Sequence, residues 1–470
     1  MMRLSQAARA LEAHMEGGDV EFGGVGTDTR TLKRGDLFVA LRGERFDGHR
    51  FVAQAAAAGA AAAMVEAGAA DAVKTTLPLL VVENTRRALG QLAAHWRSRF
   101  EMPLVALTGS SGKTTVKEML AAILREAIEE TPPEDASKQG VLATRGNLNN
   151  DIGVPLMLLE LKPEHRYAVI EMGMNHAGEI RYLSQLAAPD VALVNNAGRA
   201  HIEFLGSEDA VARAKGEIFE GLGPDGTAVI NADDRYSALW RELAAGKRQI
   251  EFGLEQPAQV TATYALRALE SEIVVKTPAG LAAATVRAPG MHNVRNALAA
   301  AAAAVALEVP ARAIAAGLAR YSGIKGRLEP KSALNGARLI DDTYNASPES
   351  VIAAIAVLAN AGGRTLLVFG DMGELGAEAA RLHAEMGAHA KKAGIERVLT
   401  LGEHSAQTAA AFGEGARHYT RIEDLLAEIE KLLAPDVTVL VKGSRFMRME
   451  RVVNALVVDA SLSKRSPRCS

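Results

Sequence analysis

The stretch Leu104-Val105-Ala106-Leu107-Thr108-Gly109-Ser110-Ser111-Gly112-Lys113-Thr114-Thr115 decides how the chain folds. Its apolar start predicts a short buried strand, its middle is a glycine-rich turn, and residues 116–125 favour a helix. A strand, such a turn, Lys-Thr and a helix follow one another in the order that a phosphate-binding loop requires. The less favoured interpretation is an ordinary Gly-Ser turn with a solvated lysine.

The glycines of this loop allow backbone N–H groups to converge on phosphate oxygens, and the helix start adds positive potential. Lys113 is expected to reach the β and γ phosphates, and Thr114 to offer its hydroxyl to Mg²⁺. The spacing from Gly109 to Gly112 is shorter than in the general phosphate-loop pattern. This short form is a more restrictive pattern than the general one, so it is stronger evidence for a phosphate loop. ATP is the expected ligand, bound by Thr108, Gly109, Ser110, Ser111, Gly112, Lys113, Thr114 and Thr115.

The composition limits the class of protein. At about 150 residues per domain, 470 residues suggest three domains. The 53 Lys and Arg against 56 Asp and Glu give a net charge of -3, which argues against a nucleic-acid-binding surface or an anionic-membrane anchor. The longest apolar run, residues 297–307, is shorter than the ~20 residues of a membrane span, and Cys469 is the single cysteine. We expect a cytoplasmic monomer that binds no nucleic acid and does not insert stably into a membrane.

The pattern of elements predicts an α/β protein of three domains. Residues 1–82 mix short strands and glycine-rich turns with an Ala-rich helix over 51–63, which indicates a small α/β domain. Residues 83–312 alternate strands and helices, as in a mostly parallel sheet around the phosphate loop. Residues 313–470 repeat that alternation, which is typical of a Rossmann-like doubly wound domain. The polar end, residues 461–470, is expected to be disordered.

Three further residues lie near the ends of central-domain strands or just beyond them. Glu171 follows the apolar run 168–170, His201 lies shortly after another such run, and Lys215 begins Lys215-Gly216-Glu217. Since ligands of open α/β sheets bind at the carboxyl ends of strands, Glu171 and His201 are candidate Mg²⁺ ligands near the phosphates. Taken singly, these residues are equally well explained as a surface acid, a loop histidine and a solvated lysine. Their combination with the phosphate loop favours a shared site.

The segment 144–155 is dense in hydrogen-bonding side chains. Its four candidate polar contacts precede the apolar Val154-Pro155. Such a density of Asn predicts a loop that closes on a polar ligand rather than on the core. The candidate residues are Thr144, Asn147, Asn149 and Asn150.

In order and spacing, these motifs resemble the Mur ligases of peptidoglycan synthesis. The resemblance covers about residues 20–455 and rests on the phosphate loop, segment 144–155, Glu171-Met172-Gly173, Ala200-His201, Lys215, His292-Asn293 with Asn296, and Arg327. Within that family, segments 341–348, 370–376 and 441–445 look like the member that adds D-alanyl-D-alanine, and segments 27–30 and 43–49 look like its UDP-sugar domain. The resemblance implies that ATP converts the carboxylate of a UDP-N-acetylmuramoyl-tripeptide to an acyl phosphate, which the amine of D-alanyl-D-alanine attacks, with release of ADP and phosphate.

The resemblance also implies roles for single residues. Four of them would be catalytic: Lys113, Lys215, His201 and Arg327. Arg327 would reach the γ phosphate when the central and C-terminal domains close. Mg²⁺ would be held by Thr114, Glu171, His201 and a carbamylated Lys215. The carbamate supplies an anionic ligand where an ammonium would repel the metal.

The remaining implied contacts belong to the nucleotide and the substrates. The adenine would lie near His292, Asn293 and Asn296, although Asn293 has the alternative role of a helix cap. Asp342 would meet the ribose, and Tyr344 and Asn345 would line the same cleft. The UDP-sugar would contact Thr27, Asp28, Thr29, Arg30, Arg45, Phe46, Asp47, Gly48 and His49, and the substrates would also contact Thr144, Asn147, Asn149, Asn150, Ser444 and Arg445.

Other functions stay open at this stage. One alternative is another ligase of the superfamily, such as a folylpolyglutamate synthase or the ligase that adds a diamino acid, although the Asp-Asn-Pro-Arg signature of the latter is absent. Another is a non-catalytic ATP-driven switch. The sequence leaves undecided whether the tripeptide carries diaminopimelate or lysine, which residues bind the dipeptide, and what Arg199 does.

Overall fold

The computed structural model describes residues 1–43, 46–130, 137, 139–199, 202–267 and 269–457. They form an α/β protein with separate sheets in the N-terminal, central and C-terminal parts, which confirms the expected fold class. No helix among these residues is long and apolar enough to cross a membrane.

The N-terminal domain is built on a five-stranded sheet in the order β2-β7-β6-β5-β4, with a separate β1-β3 pair beside it. Its strands are β1 Met2–Arg3, β2 His14–Glu16, β3 Glu21–Phe22, β4 Val25–Gly26, β5 Leu37–Val39, β6 Ala62–Glu66 and β7 Leu79–Val82. Its helices are α1 Leu4–Leu11, α2 Val52–Ala57 and α3 Ala67–Ala70, with a 3-10 turn at Gly48–Phe51.

The helix predicted over 51–63 is wrong in its second half. Helix α2 ends at Ala57, and Gly59 adopts φ +90°, a left-handed conformation that glycine reaches without steric cost. Residues 62–65 then form the middle strand of the sheet and are fully buried. A short Ala-rich segment suits a helix and a buried strand equally well, so its place between β5 and β7 decided the outcome.

The central domain contains a six-stranded, all-parallel sheet in the order β13-β12-β11-β8-β10-β9, which confirms the predicted mostly parallel sheet. Its strands are β8 Leu104–Thr108, β9 Gly140–Ala143, β10 His165–Glu171, β11 Val191–Val194, β12 Thr227–Asn231 and β13 Arg248–Phe252. A three-stranded antiparallel sheet follows, formed by β14 Thr261–Leu266, β15 Ser271–Thr277 and β16 Gly280–Val286.

The helices of this part cover both faces of the parallel sheet. They are α4 Thr85–Arg97, α5 Lys113–Glu130, α6 Gly153–Leu158, α7 Glu179–Ala187, α8 Ile202–Leu205, α9 Glu208–Gly216, α10 Ser237–Leu243, α11 Met291–Ala306 and α12 Ala311–Arg320, with a 3-10 turn at Glu217–Gly221. The alanines of α11 are buried against α5 and the sheet, where small side chains permit close packing.

Helix α12 belongs to the central domain. Ala313, Ile314 and Leu318 are buried in the same core as α5 and α11. The chain therefore leaves the central domain after α12, and the predicted boundary between residues 312 and 313 falls too early. Pro310 marks the start of this helix rather than the end of the domain.

The C-terminal domain has a six-stranded sheet in the order β17-β18-β22-β19-β20-β21, parallel except for β17. Its strands are β17 Glu329–Ser332, β18 Arg338–Asp342, β19 Arg364–Gly370, β20 Arg397–Leu401, β21 Ala416–Tyr419 and β22 Val437–Lys442. Its helices are α13 Pro348–Ala359, α14 Ala379–Lys392, α15 Ala406–Phe412, α16 Ile422–Leu432 and α17 Glu450–Leu456, with 3-10 turns at Leu334–Gly336, Gly376–Glu378 and Arg445–Met447. Separate cores on the two faces of the sheet confirm the doubly wound arrangement. The tail predicted to be disordered, 461–470, lies outside the described residues.

Candidate functional site

A cavity of about 1500 Å³ lies where the central and C-terminal domains meet. Its central-domain wall includes residues directly after β8, β10 and β11, because the carboxyl ends of parallel strands share one edge of the sheet. Its C-terminal wall includes loops after β18, β19 and β22. The lining residues that were predicted from the sequence are Ser110, Ser111, Gly112, Lys113, Thr114, Thr115, Asn147, Asn149, Asn150, Glu171, His292, Asn293, Asn296, Arg327, Asp342, Tyr344, Asn345, Ser444 and Arg445.

A side chain at Gly112 would not fit in the phosphate loop. This residue adopts φ +77°, and a Cβ there would lie 2.2 Å from Asn296 Oδ1 and 2.7 Å from Asn195 Nδ2. Lys113 is half-buried at the start of α5, and its Nζ donates to Gly109 O at 2.7 Å. The loop thus folds back around its own lysine, and residues 110–115 line the cavity.

Two asparagines that the sequence analysis did not assign to the site hold this loop in place. Asn196 Oδ1 accepts from Ser111 N at 2.9 Å, and Asn195 Nδ2 donates to Ser111 O at 3.0 Å. Asn195 Nδ2 also donates to Asn296 Oδ1 at 3.0 Å, which links the loop to α11. The available signal was their position directly after β11, since Glu171 was singled out by a similar position at the end of β10.

The start of α11 forms the wall predicted to face adenine. Asn296 Nδ2 donates to Asn293 Oδ1 at 3.2 Å, and Asn293 Nδ2 donates to Pro289 O at 2.8 Å. The N-cap position is Gly290, so Asn293 is not the helix cap that was considered as an alternative. Burial lowers the pKa of His292 to about 4, which keeps its ring neutral near pH 7.

Glu171 is held so that one carboxylate oxygen remains open. Its backbone N donates to Thr144 Oγ1 at 2.9 Å, and its Oε1 accepts from Asn149 Nδ2 at 2.8 Å. Its Oε2 is buried and has no hydrogen-bond partner among the residues that the structure describes. A buried carboxylate oxygen without a donor is costly unless a cation or a ligand satisfies it.

A buried lysine, Lys117, holds the backbone of Thr144, which in turn positions Glu171. Lys117 Nζ on α5 donates to Thr144 O at 2.5 Å and pairs with Glu118 at 2.7 Å. Thr144 itself is buried, and it does not line the cavity. Thr144 therefore connects Lys117 to Glu171 rather than touching a ligand, and neither connection was predicted from the sequence.

Lys215 is 1% exposed at the end of α9. Burial, and secondarily the positive charge of Lys113, lowers the pKa of Lys215 well below its usual value. The predicted solvated helix charge is thereby excluded, and the amine is available in its neutral form. Burial also lowers the pKa of Lys113, and Glu171 opposes that shift.

Arg327 crosses from the C-terminal domain to the phosphate loop. Its guanidinium donates to Thr114 Oγ1 at 3.0 Å and lies 4.2 Å from the centroid of the Tyr344 ring. Beside it, Asp342 Oδ2 accepts from Lys442 Nζ at 2.5 Å, and Lys442 also donates to Asn345 O at 3.0 Å. Lys442 is buried and lines the cavity, and it was not among the residues predicted for the site.

Arg199 has a role that the sequence left open. Its Nε donates to Glu349 Oε1 at 2.9 Å, and its Nη1 donates to both oxygens of Glu385 at 2.9 Å. Both acids lie on helices of the C-terminal domain. Arg199 therefore joins the central domain to the C-terminal domain across the rim of the cavity.

The predicted UDP-sugar residues that the structure describes lie apart from this cavity. Of the described residues that line it, none comes from the N-terminal domain. Asp28 is paired with Arg30, whose hydrogen bonds lower the pKa of Asp28 to about 2. Asp47 accepts from His49 N at 3.0 Å and caps the 3-10 turn, while His49 Nε2 accepts from Glu66 N. Asp47 and His49 thus make contacts within their own domain.

The described residues leave out two of the predicted site residues. Arg45 and His201 lie outside them, so the structure does not place their side chains. Within residues 1–43, 46–130, 137, 139–199, 202–267 and 269–457 there is no cluster of three or more His, Cys, Asp and Glu side chains that could hold a metal ion. Any metal held by Glu171 must therefore take other ligands as well.

Family models match three successive parts of the chain. The catalytic domain of the Mur ligase family matches residues 21–97, the Mur ligase middle domain residues 107–304, and the Mur ligase glutamate ligase domain residues 326–445. The UDP-N-acetylmuramoyl-tripeptide--D-alanyl-D-alanine ligase of Escherichia coli K12 is 44% identical over 459 residues, which cover 96% of this chain and 98% of the relative. The ligase of the same name from Bacillus subtilis 168 is 35% identical, covering 92% and 93%.

Solved structures agree with these sequence relatives. A crystal structure of MurF from Acinetobacter baumannii superposes with a TM-score of 0.88 at 36% identity, covering 97% of this chain and 98% of that one. The MurF ligase of Thermotoga maritima in complex with ADP has a TM-score of 0.78 at 26% identity, covering 92% and 96%.

Proposed function

The chain belongs to the Mur ligase family, and we propose that it joins D-alanyl-D-alanine to UDP-N-acetylmuramoyl-tripeptide at the expense of ATP. The products are UDP-N-acetylmuramoyl-pentapeptide, ADP and phosphate. Relatives that carry this name along nearly their full length support the choice of substrates. The observation that carries the proposal is the cavity itself, where a phosphate loop on one domain faces substrate-sized space and polar loops on another.

The chemistry explains why ATP is required. A free carboxylate does not form an amide with an amine, because it has no good leaving group. The tripeptide carboxylate therefore first attacks the γ phosphorus of ATP and becomes an acyl phosphate. The amine then forms the C–N bond as phosphate leaves. Transfer of this kind depends on positioning and charge neutralisation rather than on a covalent enzyme group. In the proposed site, Lys113 neutralises the β and γ oxygens, and Arg327 reaches the γ phosphate from the opposite domain.

The residues present fit a bound Mg²⁺. Glu171 Oε2 is a buried oxygen that receives no hydrogen bond from the described part of the chain, and the Thr114 hydroxyl lies on the same cavity wall. Both are the hard oxygen ligands that Mg²⁺ prefers, and the ion usually completes its shell with phosphate oxygens and water. When bound, Mg²⁺ would neutralise charge between the phosphates and the substrate carboxylate. His201 stays a proposed ligand.

We propose that Lys215 carries a carbamate. A neutral amine adds to CO₂ and releases one proton, which yields an N-carboxylate anion at the end of the lysine. Burial of Lys215 favours the neutral amine that this addition requires. The resulting anion would also be attracted to the positive charge of Lys113. In the unmodified protein that same charge lowers the pKa of Lys215.

The nucleotide base and ribose would lie along the start of α11 and the loop after β18. His292, Asn293 and Asn296 present a neutral, hydrogen-bonding wall for adenine. Asp342 is already bonded to Lys442, which orients its carboxylate for the proposed ribose contact. Tyr344 and Asn345 line the same space.

The N-terminal domain would hold the UDP-sugar at a distance from the chemistry. An extended tripeptide alone separates its two ends by about 10 Å, so the UDP group is expected outside the cavity that holds ATP. Thr27, Asp28, Thr29, Arg30, Arg45, Phe46, Asp47, Gly48 and His49 stay the proposed contacts. Asn147, Asn149 and Asn150 would meet the tripeptide end, with Thr144 behind them. We place the reaction in the cytoplasm, where ATP is available, and expect a monomer.

A phosphate-release assay tests this function. The purified protein is mixed with ATP, Mg²⁺, UDP-N-acetylmuramoyl-tripeptide and D-alanyl-D-alanine, and each component is omitted in turn. We expect phosphate only with the complete mixture, with one pentapeptide formed per phosphate. Release without the dipeptide would favour a nucleotide switch, and release with a diamino acid or glutamate instead would favour another ligase of the superfamily. Running diaminopimelate and lysine tripeptides in parallel identifies the third residue.

A further inference from the structure

Arg327 lies in the short segment between α12 and β17, which connects the two domains that form the cavity. This segment turns sharply, since Gly326 adopts φ +70° and Leu328 adopts φ +49°. The left-handed region is unfavourable for a bulky side chain such as leucine, and it persists only where surrounding contacts fix it. The position of Arg327 between these two residues therefore depends on the groups that hold its neighbours.

A buried ion pair at the ends of two strands holds one of these neighbours. Asp342 Oδ1 accepts from Leu328 N at 3.2 Å, and Asp342 Oδ2 accepts from Lys442 Nζ at 2.5 Å. Asp342 and Lys442 are opposite each other on the parallel strands β18 and β22, and both are buried. The carboxylate of Asp342 thus binds the Arg327 segment with one oxygen and a lysine fixed by the sheet with the other.

Lys442 also holds the loop after β18. Its Nζ donates to Asn345 O at 3.0 Å. In the same loop, Tyr344 N donates to Gly326 O at 3.1 Å, and the Tyr344 ring stacks on the guanidinium of Arg327. One ammonium group therefore contacts two supports of Arg327, the carboxylate on one side and the loop that carries the ring on the other.

We propose that Lys442 is a positioning residue for phosphoryl transfer, which acts by fixing Arg327 towards the γ phosphate. This inference rests on the proposed function, which places Arg327 at that phosphate. Two of the three N–H groups of the Lys442 ammonium are used within the C-terminal domain. A lysine held by a buried carboxylate and a carbonyl is not free to follow a ligand, so it acts through the residues that it holds.

Nucleotide binding tests the inference apart from the complete reaction. The full chain is titrated by calorimetry, in the presence of Mg²⁺, with a non-hydrolysable ATP analogue and with ADP. The two nucleotides share base, ribose and two phosphates, so the ratio of their dissociation constants measures what the γ phosphate contributes. We expect wild type to prefer the analogue by about tenfold to a hundredfold, the range for a hydrogen bond to a charged group.

The variants separate a positioning role from a structural one. Arg327→Ala should lower the preference for the analogue, and Lys442→Met should lower it by most of the same factor. The two substitutions together should lower it no further than Arg327→Ala alone, because groups that act through one contact are not additive. A purely structural role would weaken ADP and the analogue equally and leave the ratio unchanged.

A second variant covers the case in which Lys442→Met does not fold, since this change leaves the Asp342 carboxylate buried without a cation. Lys442→Met combined with Asp342→Asn removes both charges and should lower the same preference. Any effect on the ribose contact cancels in the ratio. The control is Lys247→Met, which should keep the wild-type ratio. The Lys247 ammonium donates to Leu222 O at 3.0 Å and Gly223 O at 2.8 Å, and these three residues are not among the described residues that line the cavity.

The outcomes distinguish this inference from the proposed function. If both Lys442 variants keep the wild-type ratio, or if wild type does not prefer the analogue over ADP, the positioning role is wrong. Neither result affects the dipeptide-dependent phosphate release that tests the proposed function. Absence of that release in wild type would overturn the proposed function, and with it the transfer step in which Lys442 is placed.

Discussion

Arg327 of the C-terminal domain donates a hydrogen bond to the Thr114 hydroxyl of the phosphate loop at 3.0 Å. The two residues are 213 positions apart in the chain, and the contact joins the central and C-terminal domains. Stacking of the guanidinium over Tyr344 fixes its direction. The cationic group that the proposed mechanism requires at the γ phosphate is therefore already positioned from the far side of the cavity.

Replacing Arg327 with alanine should reduce kcat by about 10²-fold or more, because a preorganised donor at developing charge contributes about that much. The KM for the dipeptide should change much less. Steady-state phosphate release measures both constants. Arg320→Ala is the matched control, since Arg320 is exposed and pairs with Glu126 and Glu129 outside the cavity. Equal losses in the two variants would contradict a role at the phosphate.

Lys215→Ala should be inactive at any ATP concentration, and short carboxylic acids should restore part of its activity by supplying the missing anion. Wild-type activity should fall when CO₂ is removed from the buffer, and return when bicarbonate is added. Because its pKa is lowered, the amine of Lys215 stays neutral at pH values where a free lysine is already protonated. Carbamate formation should therefore persist at pH values where the amine of a free lysine is fully protonated. A folded Lys215→Ala protein that no carboxylic acid rescues would count against the carbamate.

Lys117→Met should raise the Mg²⁺ concentration needed for half-maximal rate by about tenfold. The substitution leaves Thr144 O without its donor, and Thr144 in turn positions Glu171. An unsatisfied buried carbonyl also costs about 1–3 kcal/mol of stability, which urea unfolding measures. Lys162→Met changes an exposed lysine and should alter neither quantity. Loss of stability with an unchanged Mg²⁺ requirement would make Lys117 a purely structural residue.

Arg199→Ala should loosen the contact between the central and C-terminal domains. The Arg199 side chain is 19% exposed and bonds two acids of the opposite domain, so its loss removes one of the charged links across the cavity rim. Small-angle scattering should give a larger radius of gyration for the variant, and a smaller difference when ATP analogue and UDP-tripeptide are present. Arg181→Ala breaks ion pairs that lie within the central domain and should leave the radius unchanged. An unchanged radius in both variants would exclude Arg199 as a domain link.

His292→Gln should make the protein less sensitive to acid. The folded-state pKa of His292 is about 4 against 6.5 for the free side chain, so between these values the unfolded chain binds the extra proton. Stability then rises with pH across this window and falls as pH drops, by at most about 1.4 kcal/mol per unit for one group. Urea unfolding at pH 7.5 and 5 should show a smaller difference for the variant than for wild type. The exposed His95→Gln should match wild type.

The sequence by itself determined the elements whose pattern is local. The strand, the glycine turn and the helix of the phosphate loop were predicted correctly, because all three patterns lie within some twenty consecutive residues. The C-terminal βαβ series was recognised for the same reason, since its hydrophobic periods switch between 2 and 3.6. The positions of Glu171 and Asn195 at the carboxyl ends of strands were visible too, although only Glu171 was used.

Only the tertiary structure decided what depends on distant contacts. Residues 62–65 became a strand because neighbours on both sides bury them, and α12 joined the central domain because it packs on α5. The links from Lys117 to Thr144 and from Arg199 to Glu349 span 27 and 150 positions, and no local pattern encodes which partner a long side chain meets. Packing of three domains sets these contacts, and packing is a property of the whole chain.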